Sequence, residues 1–323
     1  MPTPIYPMRY NRLGRSGLTV SALALGTVEL GLDYGIAVPG EFGRPAVADA
    51  VDLVHAALDA GITLIDTARA YGASEEVLGE ALSSRRAQVV LATKVATQTP
   101  DGAPRRGADL RSHMLRSLET SLAALRTDYV DLWQIHNVDQ GVLDEADAVA
   151  AVFAEVRAAG MARSVGGSFY GPDLPLAALD ADLFDVMQIT YSVLDQRLAD
   201  RFLALAAQQD IGVMARSVLL KGVLTERAEH LPGHLDTLRL RSRMFRELAN
   251  TSGLAVTPVQ VAIAFALAQP AIHTVLIGVR TQAELFANLT ALAVELPLDL
   301  RDQLATLRLD DADLLNPATW GIP

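Results

Sequence analysis

The sequence contains no cysteine and almost no lysine, and both scarcities are informative. Without cysteine there is no disulfide, thiolate nucleophile, iron–sulfur cluster or zinc–thiolate site. Of the 27 basic residues all but Lys94 and Lys221 are arginine. Lysine is a compact ammonium whose pKa shifts on burial, whereas arginine stays protonated. A lysine in such a composition is therefore a candidate for a role that arginine cannot fill.

Basic surface charge and long apolar runs are also missing. The formal net charge of −11 argues against a general nucleic-acid-binding surface, which needs clustered basic residues. The longest uninterrupted apolar run covers residues 261–268, far short of the ~20 residues that cross a bilayer. Residues 1–17 lack the apolar core of a signal peptide. These absences predict a cytoplasmic protein that binds neither nucleic acid nor membrane.

Short β-branched runs alternate with amphipathic helical patterns along the chain. The candidate strands are residues 22–26, 63–66, 89–95, 130–136, 164–168, 185–190, 211–215 and 274–278. The clearest helical patterns cover residues 47–60, 108–126 and 144–159. In the first of these patterns the apolar residues Val47, Val51, Val54 and Leu58 recur at i, i+4, i+7 and i+11.

This alternation predicts parallel strands covered by helices, and eight such units fit a closed (β/α)8 TIM barrel. A doubly wound open sheet is the competing α/β fold, but no Gly-x-Gly-x-x-Gly fingerprint follows any candidate strand. Residues 10–20 are predicted to form an N-terminal β-hairpin, and residues 219–244 a long loop after the seventh strand. No linker interrupts the pattern, so residues 1–323 are predicted to form a single domain.

Four ionisable residues fall at or just after the ends of successive strands, where TIM barrels carry their active sites. They are Asp66, Tyr71, Lys94 and His136. A free phenol has a pKa near ~10, too high for efficient proton donation at neutral pH. A neighbouring ammonium favours the phenolate and would lower that pKa, and a carboxylate would hold the ammonium in place. Singly these residues are unremarkable, but together they indicate a proton-donating site.

The segment from residue 61 to 75, GITLIDTARAYGASE, resembles the signature of the aldo-keto reductase family. In that signature Asp and Tyr stand five residues apart before Gly-x-Ser-Glu. The resemblance covers nearly the whole chain, through residues 13–21, 91–95, 133–136 and 277–280. It implies a barrel that binds a nicotinamide cofactor, usually NADPH, and reduces a small-molecule carbonyl substrate without a metal. Tyr71 would protonate the carbonyl oxygen, Lys94 and Asp66 would tune Tyr71, and His136 would orient the substrate.

The resemblance also assigns the cofactor contacts. The residues matching the family's cofactor positions are Gly26, Thr27, Asp66, Ser168, Gln188, Arg216, Ser217, Val218, Leu219, Gly278, Arg280, Glu284 and Asn288. Three positions depart from the commoner family pattern. Phe169 stands where Asn is frequent, Ala287 precedes Asn288 where an acidic residue is frequent, and Arg216 replaces an aromatic ring that stacks on the nicotinamide. Arg216 could stack its guanidinium plane in place of that ring or reach an acidic substrate.

The choice of cofactor depends on a binding group for the 2′-phosphate of NADPH, which favours arginine. Arg280 is the leading candidate, and the cluster Arg239, Arg241 and Arg243 is the second, with a solvated helix face as its other interpretation. NADPH is the preferred prediction and NAD an open alternative. Lys221 is predicted to be a loop residue at the cofactor or solvent edge. Tyr34 and Trp320 are candidates for a wall of the substrate site or for ordinary packing.

Two other functions remain open at this stage. A Schiff-base lyase or aldolase could use Lys94, and borohydride trapping would reveal its adduct. A non-catalytic NADPH-binding redox sensor would show little turnover on any aldehyde. A metal site is not expected, because Pro232 and Gly233 separate His230 from His234 and prevent the two from sharing a helix face. The natural substrate and the oligomeric state are not indicated by the sequence.

Overall fold

The computed structural model describes residues 6–40 and 42–322. Residues 1–5, 41 and 323 lie outside the described part. The predictions about the N-terminal segment, residues 1–17, and about a single domain, residues 1–323, therefore fall partly outside the described residues. Its strands are β1 (Tyr10–Arg12), β2 (Thr19–Ser21), β3 (Leu23–Gly26), β4 (Leu64–Asp66), β5 (Val90–Ala96), β6 (Val130–His136), β7 (Ala162–Ser168), β8 (Val186–Thr190), β9 (Gly212–Arg216) and β10 (Thr274–Gly278).

The α-helices follow the strands on the outside of the sheet. They are α1 (Val28–Gly31), α2 (Val47–Asp59), α3 (Ser74–Ala81), α4 (Gly107–Leu125), α5 (Gln140–Asp144), α6 (Ala146–Ala158), α7 (Asp173–Asp180), α8 (Phe202–Gln208), α9 (Asp236–Thr251), α10 (Pro258–Leu267), α11 (Gln282–Leu289) and α12 (Leu298–Ala305). Short 3₁₀ helices at Leu220–Gly222, Glu226–His230 and Gly233–Leu235 lie between β9 and α9.

Strands β3 to β10 form the closed parallel barrel that the sequence predicts. Each strand pairs with the next in chain order, and β10 pairs with β3 to complete the ring, with Gly278 opposite Gly26. The predicted hairpin is also present, as the antiparallel pair β1 and β2. All carboxyl ends of the barrel strands therefore face the same mouth, which brings the chemically interesting strand ends together.

The hairpin closes the opposite, N-terminal end of the barrel. Leu13, Leu18 and Val20 are buried against inward-facing strand residues such as Leu132 and Met214. The Arg15 backbone N–H donates to the carbonyl of Asp210 at 2.5 Å, which ties the hairpin to the rim of the barrel. Because this end is filled by apolar side chains, ligands can reach the barrel interior only from the mouth.

Two segments differ in detail from the sequence prediction. The buried face of α2 is Ala50, Leu53, Val54 and Ala57, whereas Val47 is 52% exposed. The small alanines complete an i, i+3, i+4, i+7 stripe that can approach the barrel closely, and Val51 and Leu58 are only partly buried beside it. The segment 219–244 is also not one loop, because three 3₁₀ helices and the first half of α9 lie within it.

Candidate active site

Asp66 and Lys94 form a buried ion pair just inside the barrel mouth. Lys94 Nζ donates to Asp66 Oδ2 at 2.5 Å and to the carbonyl of Thr67 at 3.1 Å. The side chain of Lys94 is 0% exposed and that of Asp66 is 4% exposed. Burying either charge alone would be costly, so each residue requires the other at this depth.

Two glutamines satisfy the second oxygen of the carboxylate. Gln134 Nε2 and Gln188 Nε2 donate to Asp66 Oδ1 at 2.9 and 3.0 Å. Asp66, Lys94, Gln134 and Gln188 come from β4, β5, β6 and β8, so the cluster joins four strands. Sequence reasoning did not assign Gln134, although its position two residues before His136 on one strand places both side chains on the same face.

Tyr71 and His136 lie above this pair and line the cavity at the barrel mouth. Their rings meet edge to face, with centroids 5.4 Å apart. Lys94 Nζ lies 5.1 Å from the centroid of the Tyr71 ring. Phenol, imidazole and ammonium thus come together as the strand order predicts.

The loop that carries Tyr71 is anchored by the Ser74-Glu75 end of the signature. Ser74 Oγ donates to the carbonyl of Thr27 at 3.0 Å, and Thr93 Oγ1 donates to Glu75 Oε1 at 2.6 Å. Both Ser74 and Glu75 are fully buried. On the other side, the backbone of Tyr71 packs so closely on Gly31 that a Cβ there would overlap its carbonyl oxygen. These contacts, rather than any direct chemistry, explain the residue types that follow Tyr71.

The electrostatics of Tyr71 differ from the sequence argument. Lys94 was expected to lower the pKa of the phenol, but burial and then the charge of Asp66 raise the pKa of Tyr71 above its ordinary value. Lys94 is engaged by Asp66, and Arg216 is the cation that acts to lower the phenol pKa. Tyr71 is therefore a protonated phenol at neutral pH, available as a donor.

His136 is uncharged at neutral pH. Burial, followed by the positive charges of Lys94 and Arg216, lowers the pKa of His136 to about 3. A neutral imidazole has one N–H donor and one acceptor nitrogen. It can therefore hold a carbonyl oxygen by a hydrogen bond without adding a charge to the site.

The cavity at the mouth has a volume of about 480 Å³. Its wall contains Tyr71, His136 and every residue that the family resemblance assigns to the cofactor, from Gly26 to Asn288. Lys94 lies behind Asp66 and does not line it. Tyr34, Glu29, Asn137, Tyr170, Lys221 and Arg227 also line the cavity. Lys221 therefore lies at the cavity edge, where its Nζ donates to the carbonyl of Ile322 at 2.8 Å.

The residues present fit a dinucleotide. Lys221, Arg227 and Arg280 provide cations suited to phosphate groups along one side of the cavity. The inner end is lined by the hydroxyl of Ser168 and the amide of Gln188, which can bond a carboxamide.

Arg239 and Arg243 lie elsewhere. They are on α9, ion-paired with Asp236 and Glu229 respectively, and neither lines the cavity. Trp320 is also absent from the cavity wall and is buried in the core. His234 Nε2 lies 3.2 Å from the carbonyl of Trp320. Within residues 6–40 and 42–322, no three His, Asp or Glu side chains are grouped to hold a metal ion.

Glu29 is a buried carboxyl that sequence reasoning missed. Its Oε2 is buried without a hydrogen-bond partner. Burial raises the pKa of Glu29 to about 7, and Glu284 adds to the rise while the Glu29 backbone and Arg280 oppose it. An acidic residue directly after a barrel strand was the available signal, but a short helix start explains such a residue equally well.

Replacing Glu29 by Gln is expected to stabilise the protein increasingly as the pH rises from about 5 to 8. The unfolded carboxyl titrates near ~4.3, so between that pH and about 7 the folded state binds more protons than the unfolded state. The free energy of unfolding of the wild type therefore falls over this range.

Urea unfolding of both proteins at several pH values measures the difference, expected to reach on the order of 1–3 kcal/mol. Glu226→Gln, an exposed change beside the same cavity, is the control and should show no such trend. A difference that does not vary with pH would show that Glu29 has an ordinary pKa.

Fold and site together define a (β/α)8-barrel oxidoreductase with a buried carboxylate–ammonium pair below a phenol and an imidazole. Residues 22–308 match the model of the Aldo/keto reductase family, and the chain belongs to that family. The expected resemblance and the barrel fold are thus confirmed.

Individual relatives agree with this assignment. The uncharacterized oxidoreductase YqkF of Bacillus subtilis is 28% identical over 88% of this chain and 91% of its own. The 6-dehydroglucose reductase of Novosphingobium aromaticivorans is 33% identical over 78% of this chain and 84% of its own. The holo form of aldo-keto reductase AKR11C1 from Bacillus halodurans superposes with a TM-score of 0.75, at 26% identity, over 93% of this chain and 96% of that one.

Family membership and the holo relative imply that this chain binds a nicotinamide cofactor and acts on a small molecule. In the described part of the chain, no helix has the length and apolar character to cross a membrane.

Proposed function

We propose that the chain is an NADPH-dependent reductase that converts an aldehyde or ketone to an alcohol, with sugars among its candidate substrates. The observation that carries the proposal is the buried Asp66–Lys94 pair beneath Tyr71 and His136, in a cavity lined by the assigned cofactor residues. The similarity to 6-dehydroglucose reductase supports a sugar carbonyl as substrate.

In this proposal Tyr71 and His136 hold the carbonyl oxygen of the substrate from two sides. Ser168 and Gln188 would hold the carboxamide of a reduced nicotinamide, which when bound would supply a hydride to the carbonyl carbon. As negative charge develops on the oxygen, Tyr71 donates its phenolic proton. Arg216 eases this transfer because its charge acts to lower the phenol pKa. The Asp66–Lys94 pair fixes the floor against which Tyr71 packs.

A substrate screen tests the proposal. NADPH absorbance is followed with simple aldehydes, aldoses and keto-sugars, and turnover of at least one class is expected. The absence of turnover over the whole panel, with NADPH still bound, would favour the redox sensor instead.

The Schiff-base alternative is poorly supported by the geometry. Lys94 Nζ is 0% exposed, donates to two oxygens and does not line the cavity. A nucleophilic amine must reach the carbonyl carbon; burial lowers the pKa of Lys94, but its hydrogen bonds to Asp66 and Thr67 hold Nζ away from the cavity. Borohydride trapping with a carbonyl substrate should therefore leave Lys94 unmodified.

We expect Arg280 to select NADPH over NADH. Arg280 lines the cavity, and its Nη2 donates to the carbonyl of Tyr34 at 2.7 Å, which holds the guanidinium at the cavity edge. Arg280→Ala should raise KM for NADPH about tenfold while changing KM for NADH little, because one charge-assisted phosphate contact is lost.

Arg243→Ala is the matched control, since Arg243 is an ion-paired arginine on α9 outside the cavity. Steady-state kinetics give KM for NADPH and for NADH in each of the two variants. If Arg280→Ala keeps the preference for NADPH over NADH, Arg280 does not select the cofactor. If Arg243→Ala changes that preference, the selection of NADPH belongs to α9.

A further inference from the structure

Arg216 is held in the cavity wall entirely by uncharged partners. Its Nε donates to Ser168 Oγ at 3.2 Å, its Nη1 to Ser217 Oγ at 3.2 Å and its Nη2 to the carbonyl of Phe169 at 3.0 Å. The guanidinium carbon lies 3.9 Å above the centroid of the Tyr170 ring. Arg216 has no ion pair with any carboxylate in residues 6–40 and 42–322, so its positive charge is not neutralised locally.

The other charged groups at the inner end of the cavity contribute little net charge. Asp66 and Lys94 neutralise each other at 2.5 Å. His136 and Tyr71 are both uncharged at neutral pH for the reasons given above. The carboxyl of Glu29 packs against Gly278 on β10, the strand next to β9, and burial raises the pKa of Glu29 to about 7, which reduces its negative charge at neutral pH. Among these groups, Arg216 is therefore the cation whose charge no carboxylate of the described residues neutralises.

The field of Arg216 reaches the place where the reaction would occur. Its charge acts to lower the pKa of Tyr71 and contributes to the lowered pKa of His136. Ser168, one of the three residues that accept a hydrogen bond from Arg216, is also proposed to hold the carboxamide of the nicotinamide. A nicotinamide ring whose carboxamide is held by Ser168 would therefore lie next to the guanidinium of Arg216, whose charge is not neutralised by a carboxylate in the described part of the chain.

We propose that Arg216 makes the cavity discriminate between the oxidation states of the cofactor, binding the reduced nicotinamide more tightly than the oxidised one. This inference rests on the proposed function. In the reaction the cofactor loses a hydride, which carries two electrons, to the carbonyl carbon, and Tyr71 gives a proton to the oxygen. The ring thereby changes from neutral to cationic, and the oxidised ring is repelled by the guanidinium.

This preference favours the loading of NADPH and the release of NADP⁺. By linkage, tighter binding of the reduced cofactor displaces the equilibrium of the loaded enzyme toward the reduced cofactor and the carbonyl, so Arg216 acts on direction through cofactor exchange and not through the hydride transfer itself. Because NADP⁺ leaves more readily, Arg216 assists turnover in the reductive direction when release of the oxidised cofactor limits the rate. An aromatic ring at the same position could stack on the nicotinamide but would not separate the two charge states in this way.

Dissociation constants for NADPH and NADP⁺, measured by calorimetry without substrate, test the inference. The ratio of the NADP⁺ constant to the NADPH constant is expected to fall about tenfold in Arg216→Gln, as one nearby unit charge is removed. Arg216→Lys keeps the charge and should keep the ratio. Arg216→Phe removes the charge but keeps a side chain that can stack on the nicotinamide, so its ratio should be close to that of Arg216→Gln. This variant replaces Arg216→Gln in the test if the glutamine variant folds poorly.

Arg116→Gln removes an exposed arginine from the outer face of α4 and is the control for total charge. An unchanged ratio in uncharged Arg216 variants that bind both cofactors would overturn this inference and leave the proposed function standing. A wild type that binds neither cofactor would overturn the proposed function itself. A ratio lost equally in Arg216→Lys would assign the effect to shape and not to charge, which also overturns the inference.

Discussion

Replacing Tyr71 by phenylalanine is expected to lower kcat for carbonyl reduction by about 10²–10⁴-fold, the usual contribution of a positioned general acid. The ring and its edge-to-face contact with His136 are kept, so only the proton donor is lost. The dissociation constant for NADPH should stay within about twofold of the wild type, because no phosphate or carboxamide contact is removed.

Stopped-flow kinetics and fluorescence titration separate these two effects. Tyr129→Phe, which removes a phenol that packs against Arg86 away from the cavity, is the matched control and should reduce the substrate at the normal rate. A Tyr71→Phe protein that keeps most of its kcat would contradict the assignment of Tyr71. Because the pKa of Tyr71 is raised by burial, the wild type should not lose its donor to ionisation anywhere between pH 6 and 9.

Removing the buried ammonium should have the largest effect on stability. In Lys94→Met the carboxylate of Asp66 keeps its two glutamine donors but loses its counter-charge, at a side-chain exposure of 4%. Leaving one partner of a buried ion pair charged costs about 3–5 kcal/mol in the free energy of unfolding. The loss should shrink as the pH is lowered, because protonation neutralises the stranded carboxyl.

A double variant shows whether the pair acts as a unit. Lys94→Met combined with Asp66→Asn leaves no buried charge, so it should recover part of the stability lost in Lys94→Met. Lys221→Met is the natural control, since Lys221 is half-buried and makes one bond to the carbonyl of Ile322, and it should cost about 1 kcal/mol or less. Urea unfolding at pH 7 gives all four values. If Lys94→Met unfolds like the wild type, the pair does not stabilise the fold.

The barrel could be predicted because its local patterns are strong. Each candidate strand overlaps an observed strand, and residues 130–136 and 274–278 coincide with β6 and β10. The failures came from packing, which the periodicity of large apolar residues does not report. In α2, alanines such as Ala50 and Ala57 face the core because a close approach favours small side chains. In α9, arginines obscure a buried stripe that includes Leu238 and Phe245.

The composition of the candidate site could be predicted from the sequence about as well as the fold. Strand order alone brings Asp66, Lys94 and His136 to one mouth, and the family resemblance supplies the cofactor positions. The spacing of Gln134 and His136 places the glutamine on the inner face of its strand, but its bond to Asp66 and the contact of Tyr170 with Arg216 are visible only in three dimensions. The pKa of Tyr71 was misjudged because the sequence shows which charges are near but not how deeply the phenol is buried.

The sequence by itself determined the class of fold, and it predicted the four side chains of the candidate site, including Lys94 among so few lysines. These follow from periodicity, spacing and composition, which act along the chain. Only the tertiary structure decided which cation near the phenol keeps its charge unneutralised. Lys94 is neutralised by Asp66, whereas Arg216, held by neutral partners on Tyr170, keeps its charge toward the cavity. The physical reason is that a charge acts at a distance only when no opposite charge lies beside it, and that neighbour is determined by folding.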